Sequence, residues 1–244
     1  MIAIQTIDLV KKYGTKIAVD RLNLSVEQGE LFALLGVNGA GKTTTIKMLS
    51  CLSIPTSGDA ILLGDSIVSN PFAVKEKVNV SPQETAVARN LTVAENLELI
   101  AAIYGSDGKA AKSKAGEMLS AFDLNEVARQ KAKILSGGMQ RRLSIAMALI
   151  SNPQILFLDE PTLGLDVLAR RELWSAIEAL KGKITIILTT HYMEEAEALS
   201  DRIGIMAKGR LKAIGTAPEL ISETGTKTLE DAFIAFATQN EVLA

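Results

Sequence analysis

The stretch Leu31-Phe32-Ala33-Leu34-Leu35-Gly36-Val37-Asn38-Gly39-Ala40-Gly41-Lys42-Thr43-Thr44 decides the fold. Its first five residues are an apolar run of strand length, and the residues after it fit the spacing G-x-x-x-x-G-K-[ST]. Ile46, Met48 and Leu49 then continue into a helix. Strand, glycine-rich loop and helix in that order are the context in which a chain cradles phosphate. The glycines let backbone N–H groups converge on phosphate oxygens, the helix N-terminus adds its dipole, and Lys42 reaches the outer phosphates. The Thr43 hydroxyl is a ligand for Mg²⁺. Gly36, Asn38, Gly39, Ala40, Gly41, Lys42, Thr43 and Thr44 are therefore candidates for binding a nucleoside triphosphate, ATP above others. A glycine-rich turn carrying a surface lysine is the plainer alternative, and the agreement of spacing with both flanking elements speaks against it.

Working outward, the chain's first third reads mainly as strands, at residues 2–9, 16–26, 31–35 and 60–67. Residues 91–150 change period. Leu97, Ile100, Ala101 and Tyr104 fall at helical spacing, as do Ala115, Met118, Leu119 and Phe122, and then Leu143, Ala146, Met147 and Ile150. A strand at 155–158, a helix carrying Leu173, Ala176, Ile177 and Leu180, and a strand at 184–189 follow. That alternation is the mark of a parallel sheet with covered faces, so the helical block reads as an insertion into an α/β core. Residues 228–238 read as a capped terminal helix.

The strand at 155–158 ends in Asp159-Glu160. Successive strand side chains alternate in direction, so Asp159 is expected to face the metal while Glu160 points elsewhere and polarises the attacking water. An acidic strand end opening a loop is the alternative for this pair taken alone.

Composition narrows the function classes. With 26 basic and 28 acidic residues the net charge is −2, which offers no general field for DNA or RNA. One cysteine, Cys51, allows no internal disulfide, and the opening residues lack the apolar core of a secretory signal. Apolar runs stay far below the ~20 residues of a membrane-spanning helix. A cytosolic location is expected.

Leu135-Ser136-Gly137-Gly138-Met139-Gln140 resembles the signature sequence of ATP-binding cassette (ABC) proteins, with Met139 a mild departure. The rest of the chain matches that family's order: Tyr13 before the phosphate loop, Gln83 in Ser81-Pro82-Gln83-Glu84, the signature, Asp159-Glu160-Pro161, Gly164-Leu165-Asp166, and His191 after Thr190. The resemblance implies an α/β fold with a phosphate-loop NTPase (RecA-like) core, a parallel sheet, an antiparallel β subdomain and an inserted helical subdomain. It implies a nucleotide-binding domain over residues 1–220, with the helical subdomain at about 85–150, and a helical tail over 221–244.

The resemblance also assigns roles. Tyr13 stacks on adenine, although an ordinary aromatic at a strand end is the other reading. Gln83, Thr43 and Asp159 are on the Mg²⁺ side, Asp159 through a water, and Gln83 also senses the γ-phosphate. Glu160 and His191 are the catalytic pair, His191 holding the attacking water. Ser136, which opens a helix with Gly137 and Gly138, makes a second anion site. For the two helix starts in one chain the resemblance implies a head-to-tail dimer, homomeric or heteromeric, in which Ser136 and Gly138 of one subunit close on the γ-phosphate held by Lys42 of the other. Asp166 acts across that interface or caps the following helix. The implied protein is an ATPase subunit on the cytoplasmic face of the cell membrane, powering a separate transmembrane permease subunit, most like exporters of drugs, lipids, polysaccharides or ions. The rival is a soluble ABC-type ATPase switch acting on nucleic acid or ribosomes. Near-neutral charge and the lack of sustained heptads between Lys42 and Ser136 weigh against it.

Overall fold

In the computed structural model, which describes residues 1–238, the N-terminal part forms β1 (Ile2–Tyr13), β2 (Lys16–Leu22), β3 (Ser25–Glu27) and β4 (Leu31–Leu35), then α1 (Lys42–Leu49). Next come β5 (Ser57–Leu62), β6 (Asp65–Ser66), α2 (Pro71–Lys77) and β7 (Val78–Ser81), then the helices α3 (Val93–Ile103), α4 (Gly108–Ala121) and α5 (Gly137–Leu149). The chain continues as β8 (Ile155–Asp159), α6 (Val167–Glu178), β9 (Thr185–Thr190), α7 (Met193–Leu199), β10 (Arg202–Ala207) and β11 (Arg210–Gly215). It closes with α8 (Ala217–Thr224) and α9 (Leu229–Thr238).

The larger sheet runs β11-β10-β4-β9-β8-β7, parallel from β10 to β7 with β11 antiparallel at its edge. All five residues of β4 and all five of β8 are buried, as strands covered on both faces must be. Their alternation sorts the core. Leu156 and Leu158 join the helices α3 to α6 on one face, while Ile155 and Phe157 join α1 and the smaller sheet on the other. Ala33, Leu35, Ile203 and Ile205 pack with Leu220, Phe233 and Phe236 of α8 and α9 in a third cluster. The smaller sheet is antiparallel, in the order β2-β1-β5-β6 with β3 on β1. The fold is thus the α/β architecture expected of a phosphate-loop core with an antiparallel sheet and a helical block.

Several boundaries differ from the sequence reading. The strand expected at 2–9 continues to Tyr13, kinked at Asp8, whose φ is 44°. The strand expected at 16–26 divides because β2 and β3 pair with opposite halves of β1, and the Thr6 hydroxyl fills the break by donating to Leu22 O at 2.8 Å and accepting from Leu24 N at 2.7 Å. The strand expected at 60–67 turns at Leu63 and Gly64, both with positive φ, as a two-residue hairpin requires. The expected boundary at residue 220 falls inside α8. Residues 239–244 of the expected tail lie outside the described residues. The terminal helix α9 is capped as expected, Asp231 N donating to Thr228 Oγ1 at 3.1 Å. Among the described residues, no helix is long and apolar enough to cross a membrane.

Candidate functional site

The phosphate loop leaves β4 at its carboxyl end and enters α1 through Gly41, the N-cap, at φ 107°. A Cβ there would stand 2.5 Å from Ala18 O, so backbone conformation and space both demand glycine. No side chain caps α1, which leaves its first N–H groups to an anion. Lys42 is buried at 5 % exposure, and its ammonium donates to Gly36 O at 2.6 Å and Val37 O at 3.3 Å. Buried charge needs a counter-charge. Glu160 supplies it, with Oε1 3.0 Å from Lys42 Nζ, while its Oε2 lies 2.7 Å from His191 Nδ1. A carboxylate beside Nδ1 selects the Nδ1–H form of the ring and leaves Nε2 as an acceptor.

Asp159 and Glu160 do not simply alternate as a strand would dictate. β8 ends at Asp159, and Glu160 takes φ 48°, with its N–H donating to Thr189 O and Thr189 Oγ1, both at 3.1 Å. This turn brings the Glu160 carboxyl to the cleft, with the Asp159 carboxyl behind Thr43. Asp159 Oδ1 accepts from Thr43 Oγ1 at 3.1 Å and from Thr189 Oγ1 at 2.6 Å. His191 follows β9, a central strand of the larger sheet, and so lies at the carboxyl end of the sheet's middle. Carboxyl ends of parallel strands are where ligands gather.

These groups line a cleft of about 430 Å³. Tyr13, half exposed, forms one wall with Lys16 and Ala18, and Asn38, Gly39, Ala40, Gly41, Lys42, Thr43 and Thr44 form the floor. Gln83, Glu160, Leu163 and His191 complete it. Gly36 lies below, anchored by its N–H to Thr190 O at 3.2 Å. Asp159, buried, is reached through Thr43.

Ser136, Gly137 and Gly138 do not line this cleft. Ser136 caps α5, accepting from Met139 N at 3.2 Å. A Cβ on Gly138 would stand 2.9 Å from the Ala169 side chain, so this glycine lets α5 meet α6 closely. Asp166 caps α6 through Leu168 N at 3.0 Å and Ala169 N at 2.9 Å. Sequence reasoning missed Arg141. Its guanidinium, buried on α5, donates to Pro161 O at 2.8 Å, Asp159 O at 2.7 Å, Gln83 O at 3.2 Å and Pro82 O. Burial lowers it to about 10, so it remains charged at neutral pH.

Residues 19–163 match the model of the ABC transporter family. The chain belongs to that family. It is 43 % identical over 88 % of its length to a daunorubicin resistance ATP-binding protein of Streptomyces coeruleorubidus, covering 68 % of that relative. It is 41 % identical over 95 % of its length to the Nod factor export ATP-binding protein I of Burkholderia orbicola, covering 80 % of it. A probable multidrug ABC transporter ATP-binding protein of Escherichia coli is 40 % identical over 95 % of this chain, which spans 41 % of that longer relative. Among solved structures, an ATP-binding subunit of an ABC transporter superposes with TM-score 0.84 at 29 % identity, covering 96 % of this chain and 99 % of the other. A dimeric ATP-binding cassette bound to ADP and Pi superposes with TM-score 0.78 at 26 % identity, covering 87 % and 98 %. This ABC protein binds ATP and is an ATPase.

Proposed function

We propose that this chain is the ATP-hydrolysing subunit of an exporter, working as a head-to-tail dimer beneath a separate transmembrane permease at the cytoplasmic face of the membrane. The observation that carries the chemistry is the pair of contacts linking Lys42 to Glu160 and Glu160 to His191, at 3.0 and 2.7 Å, on the wall of one cleft. The relatives' names speak of drug resistance, multidrug transport and Nod factor export and not of a switch on nucleic acid.

In this reading, adenine stacks on Tyr13 and the triphosphate lies on the N–H groups of residues 39–44. Its outer phosphates compete with Glu160, Gly36 O and Val37 O for Lys42. Glu160, released from Lys42 and still held by His191, accepts a proton from the attacking water. Thr43 and Asp159 offer hard oxygen donors that suit Mg²⁺. When bound there, with Gln83 at its side, the ion would neutralise phosphate charge. Cargo contacts would belong to the permease. A groove of about 140 Å³ beside Gln83, lined by Asn79, Pro82, Ala86, Ile100, Tyr104 and Met147, has room for one side chain of a short helix of that partner.

Two results test this reading. Ser136→Arg should leave ATP binding intact and abolish ATP-driven dimerisation, because Ser136 is exposed and would face the partner's γ-phosphate; light scattering with ATP decides, and a normal dimer counts against a shared site. Tyr13→Ala should raise the KM for ATP about fivefold, the worth of one lost aromatic stack, with kcat little changed. An unchanged KM would return Tyr13 to an ordinary strand-end aromatic.

A further inference from the structure

Behind the cleft, α6 and the start of α7 are joined at two points. Trp174 Nε1 donates to Glu195 Oε1 at 3.2 Å, and Glu195 is fully buried. Four residues earlier on the same face of α6, the Arg170 guanidinium lies over the Tyr192 ring, 5.2 Å from its centroid, with Nη1 3.8 Å from Glu194 Oε2. Tyr192 adjoins His191, the two ring centroids 4.0 Å apart. Its N–H donates to Thr190 Oγ1 at 3.0 Å, and the Thr190 hydroxyl lies beside the Glu195 carboxyl.

Burial pushes the Glu195 carboxyl up, against the hydroxyls and the indole that pull it down. A leucine at this position would fill similar space without the desolvation cost of a carboxyl. Packing alone therefore does not account for Glu195. What the carboxyl adds is direction: it ties the indole of α6 to the loop bearing His191, while the Arg170 and Tyr192 stack holds that loop from its outer side.

We propose that Trp174, Glu195, Arg170 and Tyr192 form a clasp that positions His191 against Glu160 and links that position to α6, whose cap is Asp166. The clasp residues touch no nucleotide; they act through His191. The proposal rests on the reading that Glu160 and His191 carry hydrolysis. It also gives Asp166 a route to the site, because a shift of α6 at a subunit interface would be passed to the His191 loop through two fixed contacts.

The test measures ATP turnover by the full chain carrying Trp174→Phe, His191→Ala, or both. Trp174→Phe keeps the ring and removes the N–H donor. It should lower kcat about tenfold with KM within about twofold, the pattern of lost orientation and not of lost binding. In the double variant the losses should not multiply, because a group acting through His191 has nothing to add once His191 is gone. Glu195→Gln keeps an acceptor for the indole and should retain turnover, whereas Glu195→Leu should match Trp174→Phe. Should either of the Trp174 or Glu195 variants fold poorly, Tyr192→Leu carries the same expectation from the other contact. Trp174 is the only tryptophan, so a shift of its emission in Glu195→Leu reports loss of the contact directly. Wild-type turnover in Trp174→Phe, or losses that multiply in the double variant, would overturn the clasp. Wild-type turnover in His191→Ala would instead remove the reading on which the clasp rests.

Discussion

Glu160→Gln is expected to lower ATP turnover by about a hundredfold or more, the scale of a lost general base, while ATP binds at least as tightly as before. Glutamine keeps the shape of the side chain and can still meet His191, but its amide accepts no proton from water. Binding should tighten because the 3.0 Å ion pair between Glu160 and Lys42 is what the triphosphate must break to reach the ammonium. An amide competes for Lys42 far less well than a carboxylate. The variant should therefore accumulate as an ATP-bound dimer, visible by light scattering. Phosphate release measured against ATP concentration separates the two effects. Turnover within about fivefold of wild type would take the catalytic role from Glu160.

The parts of this site that were legible in the sequence are those whose chemistry is local. The phosphate loop needs one strand, one turn and one helix start within fourteen consecutive residues, 31–44, and each leaves its mark on residue type. Asp159 and Glu160 could be placed at a strand end for the same reason. Their directions could not, because the left-handed turn at Glu160 depends on hydrogen bonds to Thr189, a residue on another strand. The strands β10 and β11 escaped notice because their partners lie far off: β10 pairs with β4 across most of the chain, and only that pairing makes residues 202–207 a buried strand. The central place of His191 is likewise a property of sheet order, which spacing along the chain does not express. Glu195 was unreadable in a different way. A glutamate on a short helix looks solvated unless the indole that meets it, Trp174, is known to be there.

Arg141 had a signal that went unused. It stands three, four and seven residues before Ser144, Ile145 and Ala148, all buried, so the helical period that identifies the inner face of α5 also puts a guanidinium inside it. A buried arginine must be satisfied, and here the acceptors are four backbone carbonyls from two separate segments, Pro82 and Gln83 on one side and Asp159 and Pro161 on the other. Five residues from Ser136 on the same helix, it ties the signature to the Gln83 loop and to the strand end that carries Asp159 and Glu160. Arg141→Met is expected to cost about 3–5 kcal/mol of stability, since methionine offers no donor and leaves the buried Asp159 and Pro161 carbonyls unpaired away from water. Arg141→Lys should recover only part of this, because one ammonium cannot span both segments as a planar guanidinium does. Denaturant unfolding of the three proteins gives the ranking wild type, then lysine, then methionine. Turnover should fall in the same order even at temperatures where each remains folded, because the Gln83 loop and Asp159 no longer share an anchor. A methionine variant that unfolds within about 1 kcal/mol of wild type and keeps its turnover would show that these segments hold their places without Arg141.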